Sequence, residues 1–223
     1  MTLFRRQLAR PRGWPAAAGL EQATRYTHAM TVLKIARMGH PVLLERCRPV
    51  ADPGAPEIRR LVQDMFDTME DAPGAGLAAP QVHVPLRLFV FRVQPHRATG
   101  APDDTVIGNT VVINPVVEPL GEEMQLRWEG CLSIPGLRAA VPRFLRVRYS
   151  GVDCDGRPVT ADVSGFHAGI VQHENDHLDG ILYPMRMTDF GQIGFVDEVA
   201  RADELALRMD RIRAEWAGAS SQA

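Results

Sequence analysis

The chain has 223 residues, 45% of them hydrophobic and 23% charged, with a formal net charge of −2. That length buries a real core and that balance is ordinary for a globular domain, which excludes a disordered or fibrous chain and gives no general basic surface for DNA. No apolar run is long enough to span a membrane, and the 3 cysteines at unrelated spacings argue against a disulfide framework and for a reducing, cytoplasmic setting.

In chain order, residues 1–29 carry five arginines against one glutamate, with Pro11, Gly13, Trp14 and Pro15 interrupting any helix. An upstream start or a disordered extension is expected there. An organellar targeting peptide is the alternative, which the Arg-rich, acid-poor composition suits and the lack of serine does not. Pro53, Gly54 and Pro56 mark a turn, after which Ile58, Leu61, Val62, Met65, Phe66 and Met69 recur at helical spacing. Leu88 to Val93, Val111 to Val117 and Phe144 to Tyr149 are rich in β-branched and aromatic residues and read as strands. Gly108-Asn109 and Asp155-Gly156 read as connections. Toward the end, Leu205, Met209, Ile212 and Trp216 form one apolar stripe, so residues 191–223 are expected to be a helix and tail docked on the domain. Strands followed by a helix make this an α+β chain.

His173-Glu174-Asn175-Asp176-His177 carries the chemistry. On a helix of 3.6 residues per turn, His173 and His177 lie on one face and can share a divalent cation. Glu174 falls about 100° further round, off the metal but close enough to take a proton from water on it. Two histidines one turn apart also occur as solvated or core residues, so the rest of the chain must decide. A hydrolytic site needs a third ligand, and Cys131 in Glu129-Gly130-Cys131-Leu132-Ser133 offers a thiolate. Cys47 and Cys154 have no candidate ligands beside them and read as small hydrophobes. In Gly74-Ala75-Gly76-Leu77-Ala78-Ala79-Pro80-Gln81, small residues allow close backbone approach and Gln81 supplies an amide donor. No Gly-Lys-Ser/Thr follows, so this is not a phosphate loop.

Together the three segments resemble the motifs of the peptide deformylase family, Gly-x-Gly-Leu-Ala-Ala-Pro-Gln, Glu-Gly-Cys-Leu-Ser and His-Glu-x-x-His, in that family's order. The likeness runs over residues 30–190, through Ile134-Pro135-Gly136, Val141-Pro142-Arg143 and Leu182-Tyr183-Pro184-Met185-Arg186. It implies one catalytic domain of small mixed or antiparallel β-sheets packed around a central metal-binding helix, with a C-terminal helix. It implies removal of the N-formyl group from the initiator methionine of nascent polypeptides, releasing formate. Carried over position by position, Cys131, His173 and His177 are metal ligands and Glu174 the general acid and base. Gln81 and the Leu132 N–H become donors to the developing oxyanion, and Gly76 offers its main chain to substrate. The ligand set suits Fe(II), Zn(II), Ni(II) or Co(II), with Fe(II) the family's expectation in the cell.

Counting back from His173, Phe166, Gly169 and Ile170 fall on the metal-facing side of the helix and are expected to wall the methionine pocket, although Phe166 and Ile170 equally suit a core. In the family the position of Gly169 usually bears a larger side chain, often arginine, so a more open pocket mouth is expected here. Asp176 and Arg143 both lie in the matching segments, where a buried carboxylate is expected to orient a ring N–H or pair with a guanidinium; a solvated surface role is the alternative for either. Glu129 is expected to anchor the Cys131 loop. The ribosome contact suggested for some members of the family draws little support from the C-terminal arginines, which are mixed with acids. A metallopeptidase would use the same helix but takes its third ligand downstream as His or Glu. A catalytically silent ribosome-associated relative would have lost a ligand or the base, and all four residues are present.

Overall fold

The computed structural model describes residues 30–201. Helix α1, Pro56–Asp71, begins with proline at its first turn and buries Ile58, Val62, Met65 and Met69, while Leu61 and Phe66 of the expected stripe stay half-buried. Proline suits that first turn because no N–H is needed there. Eight strands follow: β1 Gly76–Ala78, β2 Leu88–Val93, β3 Ile107–Pro119, β4 Met124–Cys131, β5 Ile134–Phe144, β6 Arg146–Val152, β7 Pro158–Ser164 and β8 Ile193–Phe195. Helix α2, Gly165–Leu178, lies between β7 and β8.

The strands form two sheets, one of five in the order β1-β2-β3-β6-β7 and one of three in the order β4-β5-β8, with every strand pair antiparallel. Strand β2 is apolar almost throughout because both faces of the large sheet are covered. Phe89, Phe91 and Val93 pack in one cluster with Tyr149, Val171 and Leu178 on the α2 side. Leu88 and Val90 pack with Met65 and Met69 on the α1 side. A third cluster ties Leu43, Ile134, Val141, Leu182 and Tyr183 under the small sheet. Helix α2 is buried on nearly every face, with all but Phe166 and Asn175 of its fourteen residues inside, so it forms the centre of the molecule.

Three local expectations change. Gly108-Asn109 lies inside β3 rather than in a connection, at a strand end whose side chains are exposed and so tolerate glycine. The single strand expected from Phe144 to Tyr149 is two: β5 ends at Phe144, and β6 begins at Arg146 in the other sheet. Leu145 makes the crossover, its N–H donating to the Glu123 carbonyl at 2.9 Å. Cys47 is buried, but Cys154 is only half-buried. The Asp155-Gly156 turn joins β6 to β7, with Gly156 at φ +74°. Helix geometry resumes at residues 196–201, and the stripe of Leu205, Met209, Ile212 and Trp216 lies outside the described residues, as do residues 1–29.

Candidate metal centre and active site

Three elements bring the site together. Helix α2 supplies His173, Glu174 and His177, the end of β4 supplies Cys131, and a short 3-10 turn at Ala79–Val82 supplies Gln81. The start of α2 is held by Asp104 from the β2–β3 connection, whose carboxylate accepts from the N–H groups of Phe166 and His167 at 3.1 and 3.0 Å. Those are helix donors with no partner inside the helix.

One ligand atom from each of Cys131, His173 and His177 lies within 4.8 Å of the other two. Bonds of about 2.0–2.3 Å in a tetrahedral shell place ligand atoms about 3.3–3.8 Å apart, and Cys131 Sγ stands 3.3 Å from His177 Nε2. The two rings meet edge to face with centroids 5.0 Å apart. His173 Nδ1 donates to Glu129 at 2.8 Å, which fixes its tautomer and leaves Nε2 free for an ion. Burial opposes charge on both imidazoles and drives His177 well down, but for His173 the adjoining Cys131 and Glu129 outweigh burial and drive it well up. One sulfur and two imidazoles converge here, a donor set of the kind a divalent cation binds. The donor set fits such an ion.

Glu129 is the hinge of a buried ionic network. Arg143 donates to both of its oxygens, at 2.7 and 2.9 Å, and to Asp176 at 2.6 Å, while Arg186 closes on Asp176 at 2.6 and 3.1 Å. Burial would raise the Glu129 carboxyl, but the Arg143 and His173 hydrogen bonds reverse that and hold it at about 2. Asp176 and Arg143 therefore pair with each other inside the protein, and Glu129, rather than Asp176, holds the His173 ring. Tyr183 stacks on His173, ring centroids 6.2 Å apart at 26°.

Glu174 is sealed against β1. Burial lifts its carboxyl to about 7, and Oε2 has no hydrogen-bond partner among the described residues. A buried carboxylate oxygen is costly to leave unmatched, so it is suited to a proton taken from a bound reactant. Gln81 is held by its own carbonyl, which accepts from Ala78 N–H at 2.8 Å. Its amide donates to Ser133 Oγ at 3.1 Å and points at Cys131 Sγ at 3.4 Å, the weaker of the two contacts. The Leu132 N–H makes no hydrogen bond among the described residues.

A cavity of about 400 Å³ opens beside these groups, and Gly76, Gln81, Cys131, Leu132, Phe166, Gly169, Ile170, His173 and Glu174 all line it. His177 sits behind them, buried. The open mouth expected at Gly169 is not vacant: a Cβ there would stand 3.0 Å from Arg127 Nε, so the guanidinium of a β4 residue takes the room that glycine leaves. Arg127 and Arg97, both lining the cavity, were not singled out from the sequence. The available signal was the period of two that sets Arg127, Glu129 and Cys131 on one face of β4.

Comparison with known proteins agrees with this geometry. The family model for polypeptide deformylase matches residues 32–192. Peptide deformylase 1 of Nitrosomonas europaea is 49% identical over 172 residues, covering 77% of this chain and 97% of the relative. Peptide deformylase 2 of Ralstonia nicotianae is 50% identical over 163 residues, covering 73% and 91%. Among solved structures, the class I type b peptide deformylase of Acinetobacter baumannii bound to Met-Ala-Ser matches with a TM-score of 0.65 at 34% identity, over 71% of this chain and 100% of that one. With matches of this extent, the chain belongs to the polypeptide deformylase family.

Proposed function

We propose that this deformylase hydrolyses the N-formyl group of formylmethionyl peptides with Cys131, His173 and His177 holding one divalent ion and Glu174 moving the proton. When bound, such an ion would supply Lewis acidity, lowering the pKa of water to about 7 and polarising a carbonyl. Glu174 Oε2 takes the proton from the attacking water and returns it to the amine nitrogen as the C–N bond breaks, leaving formate and a free N-terminus. Gln81 exchanges its weak contact with Cys131 Sγ for the carbonyl oxygen as that oxygen gains charge, and the unpaired Leu132 N–H donates beside it. Losing one such donor costs about 3 kcal/mol of transition-state stabilisation.

The substrate's main chain fits between two strand edges. Strand β1 ends the large sheet and β4 ends the small one, and residues of both line the cavity. An extended peptide can add to such an edge through its backbone, with Gly76 contributing main-chain groups, while Phe166, Gly169 and Ile170 wall the first side chain. The Met-Ala-Ser bound by the Acinetobacter relative is a peptide of the kind this reaction would leave. We assign Fe(II) as the ion in the cell, with Zn(II), Ni(II) or Co(II) able to replace it, and the cytoplasm as the setting.

The observation that carries this reading is the convergence of three ligand atoms within 4.8 Å beside a buried carboxylate oxygen with no partner among the described residues. Formate release from formyl-Met-Ala-Ser by anaerobically purified protein, with metal content measured on the same sample, tests it. Turnover that needs both the metal and Glu174 supports the proposal. One metal per chain without turnover overturns it and points to another amide.

A further inference from the structure

The outer part of the cavity carries charge that the hydrolysis does not use. Arg127 projects from β4 onto Gly169, its guanidinium carbon 3.3 Å from where a Cβ would stand. Arg97 lies over the Phe166 ring, 5.6 Å from its centroid, with its Nε buried and without a partner among the described residues. Both line the same cavity as the metal ligands and Glu174.

No carboxylate answers Arg127. Its side chain makes no hydrogen bond or ion pair among the described residues. The two acids that attract it are engaged elsewhere: Glu129 with Arg143 and His173, and Asp104 with Thr99 and the first N–H groups of α2. Burial opposes its charge and holds the guanidinium below its ordinary value. Its N–H groups face the cavity without a protein acceptor among the described residues, so a ligand that displaces water there must accept from them or leave them unmatched. A methionine thioether is only a weak acceptor and leaves those donors unmatched.

We propose that the outer end of the cavity is an oxygen-acceptor subsite, in which Arg127 donates to a first side chain whose δ atom bears an oxygen. Glutamate and methionine sulfoxide share that topology, since in each the oxygen is four bonds from Cα. Gly169 precedes His173 by one turn, about 6 Å along the axis, so a side chain entering beside the metal site and running along α2 meets the guanidinium with its end. Oxidised N-terminal formylmethionine is the substrate such a subsite would admit, and formylglutamate is its charged analogue. The proposal rests on the deformylase reading above.

The test compares formyl-Met-Ala-Ser with its methionine sulfoxide and glutamate counterparts in the wild type, Arg127→Leu and Arg127→Lys. The readout is the ratio of kcat/KM for each oxygenated peptide to that for the parent. In Arg127→Leu at least one ratio should fall about tenfold or more, the loss of a charge-assisted hydrogen bond, and Arg127→Lys should restore part of it. Which ratio falls identifies the side chain recognised. Identical ratios in the wild type and Arg127→Leu overturn the proposal. Calorimetric binding of Met-Ala-Ser and its sulfoxide to the metal-loaded protein gives the same comparison without turnover. A wild type that ignores formyl-Met-Ala-Ser would therefore strike the deformylase reading and leave the subsite separately decided.

Discussion

Gly76 and Glu174 are packed so closely that a Cβ on the glycine would stand 2.7 Å from the carboxylate carbon, closer than real Cβ atoms come. The glycine in β1 is thus the seat of Glu174, the proposed general base. Gly76→Ala should push the carboxylate aside and lower kcat on the order of a hundredfold, the cost of misplacing a catalytic group by about an ångström. Metal content should stay at the wild-type level, because the three atoms nearest that Cβ all belong to Glu174, which is not one of the proposed ligands. Full-rate formate release by Gly76→Ala would show that the base does not need this seat.

Base and ligand separate in a second pair of variants. Glu174→Gln keeps the shape but cannot take a proton, so turnover should drop by about 10²–10⁴ with the ion still bound. His173→Ala should lose both activity and metal. Metal analysis beside formate release distinguishes them, and near-normal turnover by Glu174→Gln would remove Glu174 from the mechanism.

How much of this was legible depended on where side chains face. Helix α1 and strand β2 follow the ordinary pattern of apolar residues turned inward, and their expected bounds lie within a few residues of those observed. Helix α2 was legible because its two histidines sit at a spacing of four. Strand β4 was not, because its alternation is inverted: Met124, Leu126 and Trp128 are exposed, while Arg127, Glu129 and Cys131 turn toward the cavity. A pattern that places polar residues inward reads as a loop until the cavity they line is known. The network of Glu129, Arg143, Asp176 and Arg186 spans β4, β5, α2 and the turn after it, so no local spacing could reveal which carboxylate orients His173.

His167 makes stability depend on pH away from the metal. Its ring is 1% exposed, packed against Phe91 and Tyr149, and neither nitrogen makes a sound hydrogen bond; the nearby Asp104 carboxylate and, less, the Thr105 main chain favour charge but do not offset burial. Burial brings it from 6.5 down to about 4, so the folded protein holds it neutral while the unfolded chain takes up a proton. Its share of stability is full above pH 6.5 and is lost as the pH falls toward 4, about 2 kcal/mol of it between pH 7 and 5. Urea unfolding at those two pH values should show His167→Phe losing less than the wild type by about that amount. An equal loss in both proteins would assign the acid sensitivity elsewhere.

Glu129 carries two duties that one substitution separates from catalysis. Its charge steadies Arg143 inside the protein, and its Oε2 receives the His173 Nδ1 proton at 2.8 Å. Glu129→Gln keeps an acceptor for the ring but removes the charge, leaving Arg143 with Asp176 alone. Outer groups that orient a ligating histidine contribute about 10–100-fold to metal affinity, so a competing chelator should strip the variant at correspondingly lower concentration. Breaking one arm of a buried ion network costs on the order of 3 kcal/mol, which should appear in urea unfolding of the metal-free protein at pH 7. The sign of the pH effect follows from a carboxyl held at about 2 against an ordinary 4.5: its contribution is complete above pH 4.5 and disappears as the pH falls toward 2. The gap between wild type and Glu129→Gln should therefore narrow across that window. A variant that keeps its metal against chelator and unfolds with the wild type at pH 7 would reduce Glu129 to a loop anchor for Cys131.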